Sequence, residues 1–206
     1  MDYKFPQIYH INDVLPYVTD REDFIVVDKG AYTVINYVMM TSETFSGPSY
    51  EGSEIVWSHG DLIRRECRGI IFDSKTGDII RRPFHKFFNA GEREETMLRR
   101  INLSQQHFIL KKLDGSMIVP FRTSDNILRI GTKMGETEVA QQAAQFIFER
   151  EHYQNFIYHC LEQNLSPIFE WVSRKQRIVI DYPEDDLILL AVRHINTGEY
   201  LPYHWD

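Results

Sequence analysis

The residues whose types and spacing could do chemistry lie together in Phe108-Ile109-Leu110-Lys111-Lys112-Leu113-Asp114-Gly115-Ser116. Apolar residues of strand character deliver Lys112 to a turn through Asp114 and Gly115, and Met117-Ile118-Val119 then resumes the apolar pattern. Such a turn holds a lysine at a sheet end, and its glycine lets backbone N–H groups approach a ligand closely. A lysine amine is a covalent nucleophile only when partly neutral, which requires nearby cations or desolvation to lower its pKa from about 10.4. In an extended strand Lys111 points to the face opposite Lys112, so the supporting cations are expected from other segments. With no other segment beside it, Lys-x-Asp-Gly-Ser is equally an ordinary hairpin sequence.

Other chemistries find less support. Cys67 and Cys160 are too few for a disulfide scaffold and lack zinc-ligand spacing, which fits a reducing compartment and leaves oxygen as the ligand for any metal. The eight histidines form no HExxH pattern, and His152 and His159 read as helix surface. Gly69, Gly77 and Gly91 are not followed by Lys-Ser/Thr, which disfavours a P-loop. The acidic run Glu184-Asp185-Asp186 reads as a solvated turn, and Arg174, Lys175 and Arg177 as loop charge.

The elements that must position Lys112 are mostly strands. Period-two and apolar runs predict strands over Asp23–Val27, Tyr32–Met39, Arg68–Asp73, Ile79–Pro83, Phe108–Lys112, Met117–Arg122, Ile127–Lys133, Ile168–Val172, Arg177–Ile180 and Leu187–Arg193. Ser74–Asp78, Ser124–Asn126 and Asn196–Gly198 supply tight turns, hence antiparallel pairing. One long helix is expected from about Glu136 to Glu162 with a break near His152, and Thr41–Gly60 reads as a long loop. The class is α+β, antiparallel sheets with flanking helices, in a single domain over 1–206 whose first 22 residues form an appendage. The chain holds 206 residues with no apolar run long enough for a membrane span and no signal-type N-terminus, so a cytoplasmic location without membrane contact is expected. The net charge of −7 conceals an asymmetry: residues 64–133 carry 15 Lys/Arg and 8 Asp/Glu, a local +7 between flanks that sum to −14. A basic middle third in an acidic chain fits a phosphate-handling site, although clustered surface charge has the same composition.

Four further segments stand in order around the lysine turn: Cys67-Arg68-Gly69-Ile70-Ile71-Phe72, Arg82-Pro83-Phe84-His85-Lys86-Phe87-Phe88-Asn89, Phe169-Glu170-Trp171-Val172 and the apolar Leu187–Arg193. From about Asp23 to Tyr203 the chain resembles the nucleotidyltransferase (ATP-grasp-like ligase) domain of ATP-dependent RNA ligases of the bacteriophage RNA ligase 1 type. The resemblance implies RNA end repair: lysyl-AMP formation, then joining of 3′-OH and 5′-phosphate RNA ends, nicked tRNA among them, in a host cytoplasm if phage-encoded. It implies ATP and Mg²⁺ as cofactors. Lys112 matches the adenylated lysine. Arg68 and Lys86 match contacts to the ATP phosphates, and Lys133 lies near another phosphate-binding lysine within one position. Phe88 matches an aromatic that shapes the pocket, though a plain core phenylalanine fits as well. Glu170 matches a glutamate that binds the ribose or organises water around Mg²⁺, and Asp114 and Gly115 complete the signature turn.

The family continues with an E-G-hydrophobic-V strand, a K-x-K strand and a C-terminal specificity domain, none of which follows Tyr203-His204-Trp205-Asp206. The resemblance therefore implies a truncated or split N-terminal part, completed by a second polypeptide and weak or inactive alone, since losing cations at a reacting phosphate costs about 10²-fold or more. Two alternatives remain open at this point. One is a non-catalytic nucleotide- or RNA-end-binding module of the same fold; the other is a different covalent nucleotidyltransferase, a DNA ligase or a GTP-using capping enzyme.

Overall fold

The computed structural model describes residues 3–51, 54–176 and 178–202. Phe24–Asp28 (β1) and Tyr32–Tyr37 (β2) form a hairpin, Ser49–Glu51 (β3) and Glu54–Val56 (β4) a second small one, and His59–Glu66 (α1) leads into Arg68–Asp73 (β5) and Ile79–Arg81 (β6). Ser116–Arg122 (β7) and Leu128–Gly131 (β8) precede two helices, Glu138–Phe148 (α2) and Glu151–Glu162 (α3), followed by Leu165–Val172 (β9) and Asp186–His194 (β10). The strands make two four-stranded antiparallel sheets, ordered β1-β2-β5-β6 and β10-β9-β7-β8.

Each sheet buries one face against its own apolar partners. Phe24, Ile35, Ile70 and Phe72 of the first sheet pack on Ile63 of α1 and Phe45. Ile118, Phe169, Trp171 and Leu187 of the second pack on Ala140, Ala143, Ile147 and Ile157 of α2 and α3. The opposite face of the first sheet meets the second through Tyr32, Val34 and Ile71 against Phe121. Because β5 is covered on both sides, its residues 69–73 are all buried, which explains its unbroken apolar run. Arg81 crosses the seam: its fully buried guanidinium donates to the carbonyls of Gly69 (2.7 Å) and Thr132 (2.7 Å). Gly69 itself, at φ +87°, lies so close to the Lys133 backbone that a Cβ would sit 2.4 Å from the Lys133 carbonyl oxygen.

A second buried knot secures the start of β5. Glu66, fully buried, accepts from Arg82 Nε (3.0 Å) and bidentately from Arg193 Nη1 and Nη2 (both 2.8 Å). The remaining guanidinium donors end on the carbonyls of Pro6, Pro83, Ile195, Asn196 and Gly198. Residues 1–22, expected as an appendage, contribute Ile8, Val14 and Val18 to the first core.

Several sequence expectations are corrected. The loop read over Thr41–Gly60 contains β3, β4 and the start of α1, whose N-cap Ser58 Oγ accepts from Asp61 N–H (3.1 Å). The long helix does break near His152, at Glu149–Arg150, where Arg150 turns extended at φ −134°. The strand expected over Phe108–Lys112 pairs with no sheet among the described residues, and Ile109 and Leu110 are exposed, so their β propensity is not repaid by a ladder. Ile178–Ile180 likewise lies outside any strand; Arg177 and the end of the resemblance at Tyr203 lie outside the described residues.

Candidate active site

The lysine turn is fastened from its C-terminal side. β7 enters beside β9 with Ser116 opposite Trp171 and Met117 opposite Glu170. Gly115 N–H donates to Glu170 Oε1 (3.0 Å), and a Cβ at Gly115 would lie 2.2 Å from the Trp171 carbonyl oxygen. The glycine is thus required by the approach of two backbones, and its N–H serves a carboxylate of the protein itself. The Asp114 carboxylate accepts from the N–H groups of Ile180 (2.7 Å) and Val179 (2.6 Å), which hold its pKa below the usual carboxylate range. Its own N–H donates to Tyr182 Oη (3.0 Å). Asp114 therefore anchors the 178–182 segment against the turn.

Lys112, Lys111, Arg68 and Glu170 line one cavity of about 220 Å³, whose apolar wall includes Phe84, Phe87, Met117 and Leu190. Burial raises the Glu170 pKa, outweighing the Gly115 N–H and the Lys112 and Arg68 charges that lower it. Arg68, first residue of β5, lies with its guanidinium 5.2 Å from the centre of the Phe87 ring. An adjoining cavity of about 450 Å³ shares Arg68 and Met117 and adds Lys133, Met134 and the hydroxyl residues Ser116, Thr132 and Thr137. Thr137 is the N-cap of α2, so this second space has two cations, hydroxyls and a positive helix end, a combination suited to an anion.

The sequence-predicted residues thus divide. Arg68, Lys112 and Glu170 meet in the first cavity, Arg68 and Lys133 in the second, and Asp114 and Gly115 form the turn. Lys86 and Phe88 line neither. Lys86 Nζ donates to the Phe87 carbonyl (2.9 Å) and sits 4.2 Å from the centre of the Phe88 ring. Burial lowers its pKa, helped by Arg68, Arg93 and Arg65 against Glu92. Phe88 packs on the first core, where Arg65 and Arg93 also lie over its ring, and Phe87 supplies the aromatic wall.

Sequence reasoning missed Lys111, Phe84, Phe87 and Leu190. Lys111 was assigned to the opposite face by strand alternation, which does not operate where no ladder forms. Leu190 lies at the register shift between Leu189 and Ala191, a bulge with no sequence signal. Met117 was traceable, since the register places it opposite Glu170. Among the described residues no three His, Cys, Asp or Glu side chains group to hold a metal ion. Glu170 fits Mg²⁺ only as a single carboxylate beside an ion carried by phosphates and water.

A family model described as RNA ligase matches residues 66–205. A protein of Thermovibrio ammonificans assigned as an RNA ligase is 32% identical over 192 residues, 93% of this chain and 46% of its own length. RNA ligase 1 of bacteriophage TS2126 is 25% identical over 201 residues, 89% of this chain and 44% of its own length. An archaeal ATP-dependent RNA ligase structure shares the fold with a TM-score of 0.52 at 14% identity, covering 91% of this chain and 44% of that one. The chain spans less than half the length of these relatives. With the matched model covering the lysine turn, the Arg68 strand and Glu170 together, the chain belongs to the RNA ligase family.

Proposed function

We propose that this polypeptide is the adenylyltransferase part of an ATP-dependent RNA ligase. The observation that carries the reading is the first cavity, where a turn held on both Asp114 and Gly115 presents Lys112 beside Arg68 and Glu170. Lys112 Nζ, having lost a proton, attacks the α-phosphorus of ATP; the bond to the bridging oxygen breaks and pyrophosphate leaves, giving a lysyl-AMP phosphoramide. Arg68 and Lys111 neutralise charge at the reacting phosphate, and Lys133, Thr132 and Thr137 receive the outer phosphates in the adjoining cavity. Phe84, Phe87 and Leu190 give the planar base an apolar wall. Lys86 reaches a phosphate by leaving the Phe87 carbonyl. Mg²⁺, when bound, would add further neutralisation of the triphosphate, and Glu170 would hold it through intervening water.

A 5′-phosphate RNA end then attacks the lysyl-AMP, the P–N bond breaks and Lys112 is freed; a 3′-OH RNA end displaces AMP from the resulting 5′-5′ pyrophosphate to form the phosphodiester, with nicked tRNA the natural example and a second polypeptide or further chain supplying remaining strands. Two buried free thiols suit a reducing cytoplasm, and no helix among the described residues is long and apolar enough to cross a membrane. Incubation with α-labelled ATP and Mg²⁺, followed by denaturing electrophoresis, tests the reading. Weak protein-linked AMP is expected on the chain alone, more when the downstream half of a relative is added, and none on Lys112→Ala. Absence of label in both arms refutes catalysis and leaves a nucleotide- or RNA-end-binding module; labelling by GTP in preference to ATP points to a capping-type enzyme.

A further inference from the structure

We propose that the stretch Leu98–Lys112 is a track for single-stranded RNA that leads a strand to the lysine cavity; the inference rests on the RNA ligase reading above and assigns the surface outside that cavity. In a chain of net charge −7, these 15 residues hold Arg99, Arg100, Lys111 and Lys112 and no carboxylate. The intervening polar residues, Asn102, Ser104, Gln105, Gln106 and His107, are neutral hydrogen-bonding groups. Apart from a single 3₁₀ turn over Leu98–Arg100, the stretch forms neither helix nor ladder. It nonetheless displays Leu98 (74% exposed), Leu103 (66%), Phe108 (59%) and Ile109 (91%).

An exposed apolar strip rimmed by cations marks an interaction surface. Charge selects its occupant: a polypeptide would need an acidic excess to match, whereas a nucleic-acid strand carries a phosphate at every step. Single strands offer unstacked bases that lie on aromatic and guanidinium planes, and their binding tolerates sequence variation. Phe108 provides one such plane, and Arg100, stacked 4.2 Å from the centre of the Tyr50 ring, provides another. Glu94 is the built-in competitor: its carboxylate pairs with Arg99 (2.6 Å) and Arg100 (3.3 Å), both of which remain solvent-accessible. The strip ends at Lys112 itself, so a strand bound along it arrives at the cavity already described.

Fluorescence anisotropy of a short 5′-phosphorylated single-stranded RNA on the full chain, over a salt series, tests the track. Arg99→Ala is expected to reduce the slope of log affinity against log salt by about 0.7, and Arg99→Ala with Arg100→Ala by about 1.4. Phe108→Ala is expected to weaken binding about tenfold at every salt concentration without changing the slope. Glu94→Gln is expected to tighten binding by freeing both guanidinium groups. No measurable binding at low salt, an unchanged slope in the double variant, or equal affinity for duplex RNA overturns the proposal. The α-labelled ATP assay on the same proteins separates the two readings. Lysyl-AMP on an arginine double variant whose RNA slope is unchanged refutes the track and leaves the ligase reading standing. A reduced slope in a chain that never labels supports the track and refutes catalysis.

Discussion

Glu66→Gln is a sharp test of what holds the start of β5, and with it Arg68, in place. Glu66 ends α1, two residues before Arg68, and compensates two guanidinium groups that are as fully buried as it is. Burial alone would raise its pKa, but Arg193 and Arg82 outweigh that and hold it at about 2. The substitution keeps shape and removes the charge, leaving Arg82 and Arg193 uncompensated in the interior. Breaking a buried pair in this way costs about 3–5 kcal/mol, which for a domain of this size lowers the melting temperature by about 6–20 °C.

The pH dependence of the same difference is a second signature. A carboxyl whose folded pKa is depressed contributes its stability above its ordinary value near 4.5 and loses it as pH falls through about 2. Wild type and Glu66→Gln should therefore converge over that window, because a protonated Glu66 and a glutamine are electrostatically equivalent. Circular-dichroism melts of both proteins between neutral and strongly acidic pH measure this. A gap at neutral pH smaller than about 2 °C, or one that persists unchanged into acid, refutes the reasoning. The triple replacement Glu66→Leu, Arg82→Met, Arg193→Met should recover only part of the loss, since it removes the uncompensated charge of this knot but strips the carbonyls of Pro6, Pro83, Ile195, Asn196 and Gly198 of their donors.

Two further outcomes concern the lysine turn. Gly115→Ala forces a Cβ into the Trp171 carbonyl, so β7 must retreat about 1 Å from β9 and the bond to Glu170 breaks; lysyl-AMP formation should fall about 10²-fold, and labelling at the wild-type rate would show that the turn does not set Lys112. Asp114→Ala should lower the exchange protection of the Val179 and Ile180 amides about tenfold, and acidification through the lowered Asp114 pKa should lower it likewise once the slower intrinsic exchange at acid pH is divided out; unchanged protection of both amides would refute the anchor.

The sheets were largely legible because their signals are local. β2, β5, β7 and β10 fall within two residues of their predicted limits, and Gly77 and Gly198 stand at the predicted turns with φ of +79° and +75°. What the sequence concealed depends on contacts between distant segments. Helix α1 carries two buried charged residues, Arg65 and Glu66, that satisfy partners 16 to 127 residues away, so its apolar stripe is short and its pattern weak. Its one local sign, Ser58 followed three residues later by Asp61, sat inside a segment whose composition read as loop. Arg81 and Arg82 count among the cations of the basic third, yet both are fully buried on carbonyls or Glu66, which subtracts two cations from that third's accessible charge.

The same distinction between local pattern and long-range contact explains why Phe108–Lys112 misleads as a strand and still leads to the proposed lysine. Its β propensity is real, but Ile109 and Leu110 point into solvent, and the alternation that should separate Lys111 from Lys112 is lost. With no sheet on its N-terminal side, Lys112 takes its position from the turn that follows it, through Asp114 and Gly115. Both lysines can then face one small cavity with Arg68, giving a density of positive charge that a regular strand would have split between two faces. That density faces the triphosphate in the proposed reaction, so the irregular backbone at this point serves it.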